Sequence, residues 1–145
     1  MRDCLRNSIN TCALQAFRLT TNEEKKEFAG KLGVTFREET IPDSYAIGAF
    51  NGVSPVQLAS AYSAFGNNGK RYTPHTYTKI TYRETDEVVK KQITSEQVMK
   101  PTTAYIIANI LTGATSYRVK VSGTQVATKT GTTSYDYSQL KKYIS

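Results

Sequence analysis

The stretch SPVQLASAYSAFGNNG, residues 54–69, contains the start, the apolar face and the end of one helix. Ser54 followed three residues later by Gln57 is a capping box, and Pro55 stands at the first helical position, where proline is favoured. Apolar side chains follow at helical spacing, and Gly66 with the two asparagines after it is a typical helix stop. The stretch therefore predicts one helix that ends close to residue 66.

Two more helices carry similar start and stop signals. Thr21 and Glu24 form a second capping box, and the helix that they open is predicted to stop at Gly33. From Pro101, apolar residues recur as far as Leu111 and cover nearly the whole circumference of a helix. A helix with so much apolar surface is predicted to be buried.

Three short runs are predicted to be strands. Tyr77–Arg83 and Val88–Ile93 are β-prone and are separated by a polar stretch, which predicts a hairpin, and Gln125–Thr132 is the third strand. The predicted fold class is α/β (α+β) and rich in helix. A hairpin and one lone strand make a poor sheet, and so few elements cannot cover the apolar helix from Pro101. Part of the fold is therefore expected to lie outside this sequence.

Length and charge limit the possible functions. The 145 residues suit one domain or a piece of a larger one, and they exclude a multidomain enzyme. A charged fraction of 21% with 39% hydrophobic residues is not that of a disordered chain. The formal net charge of +7 allows a small basic module that binds nucleic acid or another polyanion. The positive charges are scattered along the sequence, however, and no RNA-binding aromatic motif is present.

The cysteines and the single histidine give no metal site. Cys4 and Cys12 would lie about 12 Å apart on one helix, which is beyond disulfide reach, so both are predicted to be free thiols. The sequence has no CxxC pair, and His75 is its only histidine. It also has no run long and apolar enough for a membrane helix, and its N-terminus lacks the apolar stretch of a signal peptide.

Two short segments carry residue types that are suited to chemistry. In Lys129–Thr132, a lysine with neighbouring hydroxyls can hold a carboxylate, and a glycine lets an extended peptide approach the strand. Ser8 and Asn10 place a hydroxyl and a carboxamide at a predicted helix start. Taken singly, each segment has an ordinary explanation, as a strand with its turn and as a helix N-cap.

The order of the two segments favours a functional interpretation. Serine-type penicillin-recognising enzymes carry Ser-x-x-Lys, then Ser-x-Asn, then Lys-Thr-Gly, and the second and third of these stand here at Ser8–Asn10 and Lys129–Gly131. The sequence between them resembles the connecting region of class A, bifunctional penicillin-binding proteins, and Pro101–Tyr105 resembles the helix before their third motif. The resemblance covers roughly Leu5 to Tyr135. It implies a helix-rich part of a β-lactamase/transpeptidase-like fold, with a hairpin and one strand of the central antiparallel sheet. Further matching residues are Ile47, Gly52, Ser54, Pro55, Leu58, Ala59, Tyr62, Phe65, Gly69, Tyr72 and Pro74.

The resemblance also implies a role for each motif residue. Ser8 would move a proton to or from the leaving or attacking amine, and Asn10 would bind the substrate amide and the catalytic lysine. Lys129 would support this proton network. The substrate would be bound by three consecutive residues, Thr130, Gly131 and Thr132.

The implied reaction is acyl transfer through a serine ester, without a cofactor. The ester forms on D-Ala-D-Ala, D-Ala leaves, and an amine of a neighbouring peptide takes the acyl group. The backbone N–H of Thr132 would form half of the oxyanion hole. Peptidoglycan stem peptides and β-lactams are the implied ligands, and nucleic acid is not expected. Localisation outside the cytoplasmic membrane, through an N-terminal anchor that these residues do not include, is also implied.

The sequence departs from the family pattern at the first motif. Only seven residues precede Ser8, and the one Ser-x-x-Lys, Ser138–Lys141, follows the third motif in a polar segment. We therefore expect a partial transpeptidase domain that lacks the nucleophile, needs other segments of the same domain as partners and is inactive alone. The alternatives are a basic polyanion-binding module and a non-catalytic relative that binds cell-wall peptide.

Overall fold

The computed structural model describes residues 1–50, 52–113, 121–131 and 141. These residues form five α-helices, one 3-10 helix at Asp43–Ile47 and two small antiparallel sheets, which is a mixed α/β fold, as predicted. The helices are α1 (Arg2–Arg6), α2 (Asn10–Arg18), α3 (Asn22–Lys31), α4 (Pro55–Gly66) and α5 (Pro101–Thr112). The strands are β1 (Lys70–Tyr72), β2 (Lys79–Thr81), β3 (Val88–Lys90) and β4 (Ser95–Gln97).

Both predicted capping boxes are confirmed. At the start of α3 the Glu24 N–H donates to the Thr21 hydroxyl at 3.2 Å, and the Thr21 N–H donates to the Glu24 carboxylate at 2.8 Å. Ser54 and Gln57 make the same pair of bonds at the start of α4, at 3.2 and 2.9 Å. Gly33 follows α3 with φ +81°, the left-handed conformation that ends a helix and that glycine adopts at little cost.

The two sheets have two strands each. The hairpin is confirmed, because β2 pairs with β3 in the register Lys79↔Lys90, Ile80↔Val89 and Thr81↔Val88. The second sheet, β1 with β4, was not predicted; its register is Lys70↔Gln97, Arg71↔Glu96 and Tyr72↔Ser95. It encloses the hairpin segment and joins the end of α4 to the start of α5.

The predicted third strand is wrong over the residues that the structure describes. Residues 125–131 form no ladder with a neighbouring strand. The Thr128 N–H instead donates to the Leu111 carbonyl of α5 at 3.3 Å, so this segment is held by a helix end. The last predicted strand residue, Thr132, lies outside the described residues.

Helix α5 was predicted to be buried, but only Ala104, Ile110 and Leu111 of its residues are buried. It packs against α4 and α1. Tyr105 and Ile106, on its outer side, are 70% and 54% exposed. The buried apolar residues of the described chain are Ile41, Ala61, Ala64, Val98, Ala104, Ile110 and Leu111.

Gly69 provides a test of the junction between α4 and β1. It has φ +79°, and its carbonyl accepts the N–H groups of Val98 and Met99 at 2.9 and 3.3 Å. A Cβ at this position would collide with the Met99 carbonyl. We expect Gly69→Ala to lower the free energy of unfolding by at least about 2 kcal/mol in urea titrations.

The matched control is Gly66→Ala at the end of α4. A Cβ there meets nothing within 4 Å, and we expect this variant to gain up to about 1 kcal/mol, because alanine favours a helix over glycine. Equal effects of the two substitutions would contradict the proposed junction.

Candidate active site

Ser8 lies in the tight turn between α1 and α2. Its N–H donates to the Leu5 carbonyl at 3.3 Å, the Ile9 N–H donates to the Cys4 carbonyl at 3.0 Å, and Ser8 has φ +55°. A residue with a Cβ pays about 1–2 kcal/mol for this left-handed conformation. The N-cap of α2 is Ile9, with no side-chain capping bond, so neither Ser8 nor Asn10 acts as the N-cap. The ordinary explanation of this segment is therefore wrong.

Lys129 and Ser8 are in contact although they lie far apart in the sequence. The Lys129 Nζ donates to the Ser8 Oγ at 2.8 Å, although the two residues are 121 positions apart. The same ammonium donates to the backbone carbonyl and the hydroxyl of Thr130, at 3.0 and 3.3 Å. The structure thus brings together the second and third motifs. The Lys129 ammonium donates to the hydroxyls of both Ser8 and Thr130.

The C-terminal end of α5 holds both sides of this contact. The Arg6 Nε donates to the Ile110 carbonyl at 3.3 Å, and the Thr128 N–H donates to the Leu111 carbonyl at 3.3 Å. Arg6 precedes Ser8 by two residues and Thr128 precedes Lys129 by one. No residue pattern predicts a role for Arg6, because its partner is a backbone carbonyl 104 positions away.

Asn10, the first residue of α2, lines a cleft of about 250 Å³ whose lining includes neither Ser8 nor Lys129. The cleft lies between α2 and the 3-10 helix, whose Asp43 accepts hydrogen bonds from the guanidinium of Arg18. These bonds and the charge of Arg18 lower the pKa of the Asp43 carboxyl. The lining residues are Asn10, Thr11, Leu14, Asp43, Ser44 and Ile47.

Of the remaining predicted site residues, the structure describes Thr130 and Gly131 but not Thr132. Thr130 and Gly131 are exposed, so a ligand can reach them. Thr132, with its predicted hydroxyl and oxyanion-hole roles, lies outside the described residues, as does Ser138 of the late Ser-x-x-Lys.

The whole chain, residues 1–145, matches the family model "Penicillin binding protein transpeptidase domain". The chain belongs to the penicillin-binding protein transpeptidase family. It is 38% identical over 152 residues to "Penicillin-binding protein 1A/1B" of Bacillus subtilis (strain 168), covering 99% of this chain and 16% of that protein. It is 31% identical over 116 residues to "Penicillin-binding protein 1A" of Clostridium novyi (strain NT), covering 78% of this chain and 13% of that protein. The predicted resemblance to the transpeptidase domain of class A penicillin-binding proteins is therefore confirmed.

The chain spans only a small part of these penicillin-binding proteins. A similar share holds for "Stage V sporulation protein D" of Bacillus subtilis (strain 168), 32% identical over 111 residues, with 69% of this chain and 17% of that protein covered. As a family, penicillin-binding proteins act on peptidoglycan and bind β-lactams. None of the helices within the described ranges is long and apolar enough to cross a membrane.

A disulfide brackets the second motif of this transpeptidase family member. Cys4 and Cys12 are bonded, with their Cα atoms 5.9 Å apart, so the prediction of free thiols is wrong. That prediction assumed a single helix. The turn at Ser8 instead places Cys4 on α1 and Cys12 on α2 and brings the two helices back toward each other.

The strain at Ser8 can be measured with two substitutions. Ser8→Gly and Ser8→Ala both remove the hydrogen bond to Lys129, but only glycine relieves the left-handed backbone. We expect Ser8→Gly to be more stable than Ser8→Ala by about 1 kcal/mol in urea titrations with the disulfide intact. The control pair is Ser63→Gly and Ser63→Ala inside α4, where the order should reverse, since glycine disfavours a helix by about 1 kcal/mol. The same order at both positions would contradict a strained turn.

The disulfide should stabilise the turn by restricting the unfolded chain. For a loop between cysteines eight positions apart, chain-entropy arguments give about 2.5 kcal/mol. We expect reduction by a dithiol to lower the free energy of unfolding by about that amount. The variant Cys4→Ala/Cys12→Ala should match the reduced protein and should not respond to reductant. A midpoint that reductant leaves unchanged in the unsubstituted chain would contradict this.

Proposed function

We propose that this chain supplies the second and third active-site motifs of a peptidoglycan transpeptidase, which is acylated by D-Ala-D-Ala peptides and by β-lactams. The observation that carries the proposal is the 2.8 Å hydrogen bond from Lys129 to Ser8. The two residues come from different motifs and meet where the family pattern requires a shared proton network. Family membership supplies the reaction class, and this contact supports the roles of the individual residues.

The contact suits proton transfer to a leaving amine. Because the Lys129 ammonium donates to the Ser8 oxygen, the Ser8 hydroxyl proton is free to point at another acceptor. When the C–N bond of the substrate breaks, the Ser8 proton passes to the departing nitrogen and a Lys129 proton passes to Ser8. Lys129 is then a neutral amine, and the same steps run backward when an amine attacks.

The residues after Lys129 would bind the substrate carboxylate. The Thr130 hydroxyl already lies 3.3 Å from the Lys129 ammonium, so a carboxylate near this pair would meet a positive charge and a hydroxyl donor. Gly131 is exposed and has no side chain to obstruct an extended peptide. Thr132 would contribute its hydroxyl and its N–H, and Asn10 would bind the substrate amide.

The chain would act with other segments of the same transpeptidase domain, which supply the Ser-x-x-Lys nucleophile. Large apolar side chains remain exposed on the two helices that form the core, which supports further packing partners. They are Val56, Leu58 and Tyr62 of α4 and Tyr105 and Ile106 of α5, each between 47% and 70% exposed. We place the complete protein at the outer face of the cytoplasmic membrane, through an anchor outside these residues.

Fluorescent penicillin tests the proposal. The 145-residue chain alone should give no adduct that survives denaturation, and an adduct should form when a segment with Ser-x-x-Lys is supplied or in the full-length protein. Lys129→Ala should reduce the acylation rate of the full-length protein at least about 100-fold, whereas Lys90→Ala, in the distant hairpin, should leave it unchanged.

Three outcomes would count against this function. Labelling of the chain alone would show that the nucleophile lies within it. A full-length protein that binds stem peptide but never forms an adduct would favour the non-catalytic relative. Acylation that persists in Lys129→Ala would show that the reaction does not require Lys129.

A further inference from the structure

We propose that Arg6 is a positioning residue of the transpeptidase, a role that rests on the proposed function of Ser8 and Lys129. Among the hydrogen bonds of the described residues, none joins Arg6 to either of these side chains. It fixes where Ser8 lies by binding the end of α5, the same helix end that binds the segment of Lys129.

The two anchors use consecutive carbonyls. The Ile110 carbonyl accepts the Arg6 Nε–H, and the Leu111 carbonyl accepts the Thr128 N–H, both at 3.3 Å. The Ile110 carbonyl also accepts the N–H of Gly113 at 3.2 Å, so the Arg6 bond adds a second donor to the capped end of α5. Ser8 is two residues from one anchor and Lys129 is one residue from the other. The positions of Ser8 and Lys129 therefore both depend on the end of one helix, α5.

The charge and shape of Arg6 suit this position. A cation at a helix C-terminus interacts favourably with the helix dipole. The guanidinium also fills the space beside Gly113, the residue that ends α5, where any Cβ would collide with it. Gly113 has φ −97°, which alanine can adopt, so its lack of a side chain serves the guanidinium and not the backbone.

Arg2 provides a matched comparison on the same helix. Its Nη1 donates to the Asn109 side chain at 3.2 Å, an exposed contact between the same two helices that does not involve a carbonyl of the helix end. Arg2→Gln and Arg6→Gln therefore make the same change in net charge and each loosen α1 from α5. Only Arg6→Gln removes the anchor next to Ser8.

The experiment measures β-lactam acylation of the full-length protein, separating the binding constant from the rate constant of acylation. We expect Arg6→Gln and Gly113→Ala each to lower the acylation rate constant roughly 10- to 100-fold with the binding constant unchanged, because about 1 Å of misplacement has this effect. Arg6→Lys keeps the charge and one donor and should recover most of the rate. Arg2→Gln should stay within about twofold of the unsubstituted protein, as exposed surface contacts usually do.

The double variant Arg6→Gln/Gly113→Ala provides the sharpest control. If Gly113→Ala acts by expelling the guanidinium, the double variant should be no slower than Arg6→Gln, since coupled positions are not additive. Additive losses, or an unchanged rate in either single variant, would overturn the proposal. If Arg6→Gln fails to fold, Gly113→Ala and Arg6→Lys decide it by the same rates.

Crystal structures of the unsubstituted and Arg6→Gln proteins separate this inference from the proposed function. Retention of the 2.8 Å contact between Ser8 and Lys129 in Arg6→Gln would overturn the positioning role. Loss of the contact would support it, even if the unsubstituted protein proved unreactive toward β-lactams. In that case the proposed function would be wrong, while the positioning role of Arg6 would still be supported.

Discussion

The carbonyl groups at the C-terminal end of α5 are the constraint on which the site depends. Besides the N–H of the capping residue Gly113, the Ile110 carbonyl accepts the guanidinium of Arg6, and the Leu111 carbonyl accepts the backbone N–H of Thr128. The two donors come from opposite ends of the described chain, and each lies next to a motif residue. Two consecutive carbonyls at one helix end therefore bind two parts of the sequence that are far apart along the chain.

The contact between Ser8 and Lys129 cannot itself hold this geometry. This hydrogen bond is exposed to solvent and contributes about 1 kcal/mol at most, and the left-handed backbone of Ser8 costs about 1–2 kcal/mol. The two terms nearly cancel, so other interactions must define the turn. The Cys4–Cys12 disulfide closes the turn from both sides, and Arg6 ties it to α5. The motif hydroxyl is thus held by its surroundings and remains available to exchange protons.

The sequence predicted correctly those structural features that depend only on neighbouring residues. The capping boxes at Thr21 and Ser54 act within one turn, and both helix starts were predicted correctly. The pairing of β1 with β4 depends on contacts such as the Thr73 N–H to the Thr94 carbonyl, and these polar three-residue strands have no alternating pattern to show it. The apolar periodicity of α5 similarly identified a helix but not the side on which α4 and α1 would pack.

The candidate site shows the same division. Motif order selected Ser8, Asn10 and Lys129 as candidates, because a family pattern can be read from the sequence without knowing the fold. Arg6 had no such signature, since a carbonyl partner 104 positions away leaves no trace in residue type. The cysteines were misjudged for a related reason: a spacing converts to a distance only if the backbone between the two residues is known.

Several cations of the chain are already engaged with other groups, although pairing a cation with an anion leaves the net charge of +7 unchanged. Arg18 is paired with Asp43 and Lys31 with Glu27, and each cation lowers the pKa of its partner carboxyl. Lys25 lies over the Phe17 ring at 4.1 Å, and Lys26 donates to the Glu39 carbonyl. Within the described ranges, the groups bonded to the Lys129 ammonium are hydroxyl and carbonyl oxygens, which leave its charge uncompensated. An anionic group that approaches this end of α5 would therefore be attracted by the Lys129 ammonium.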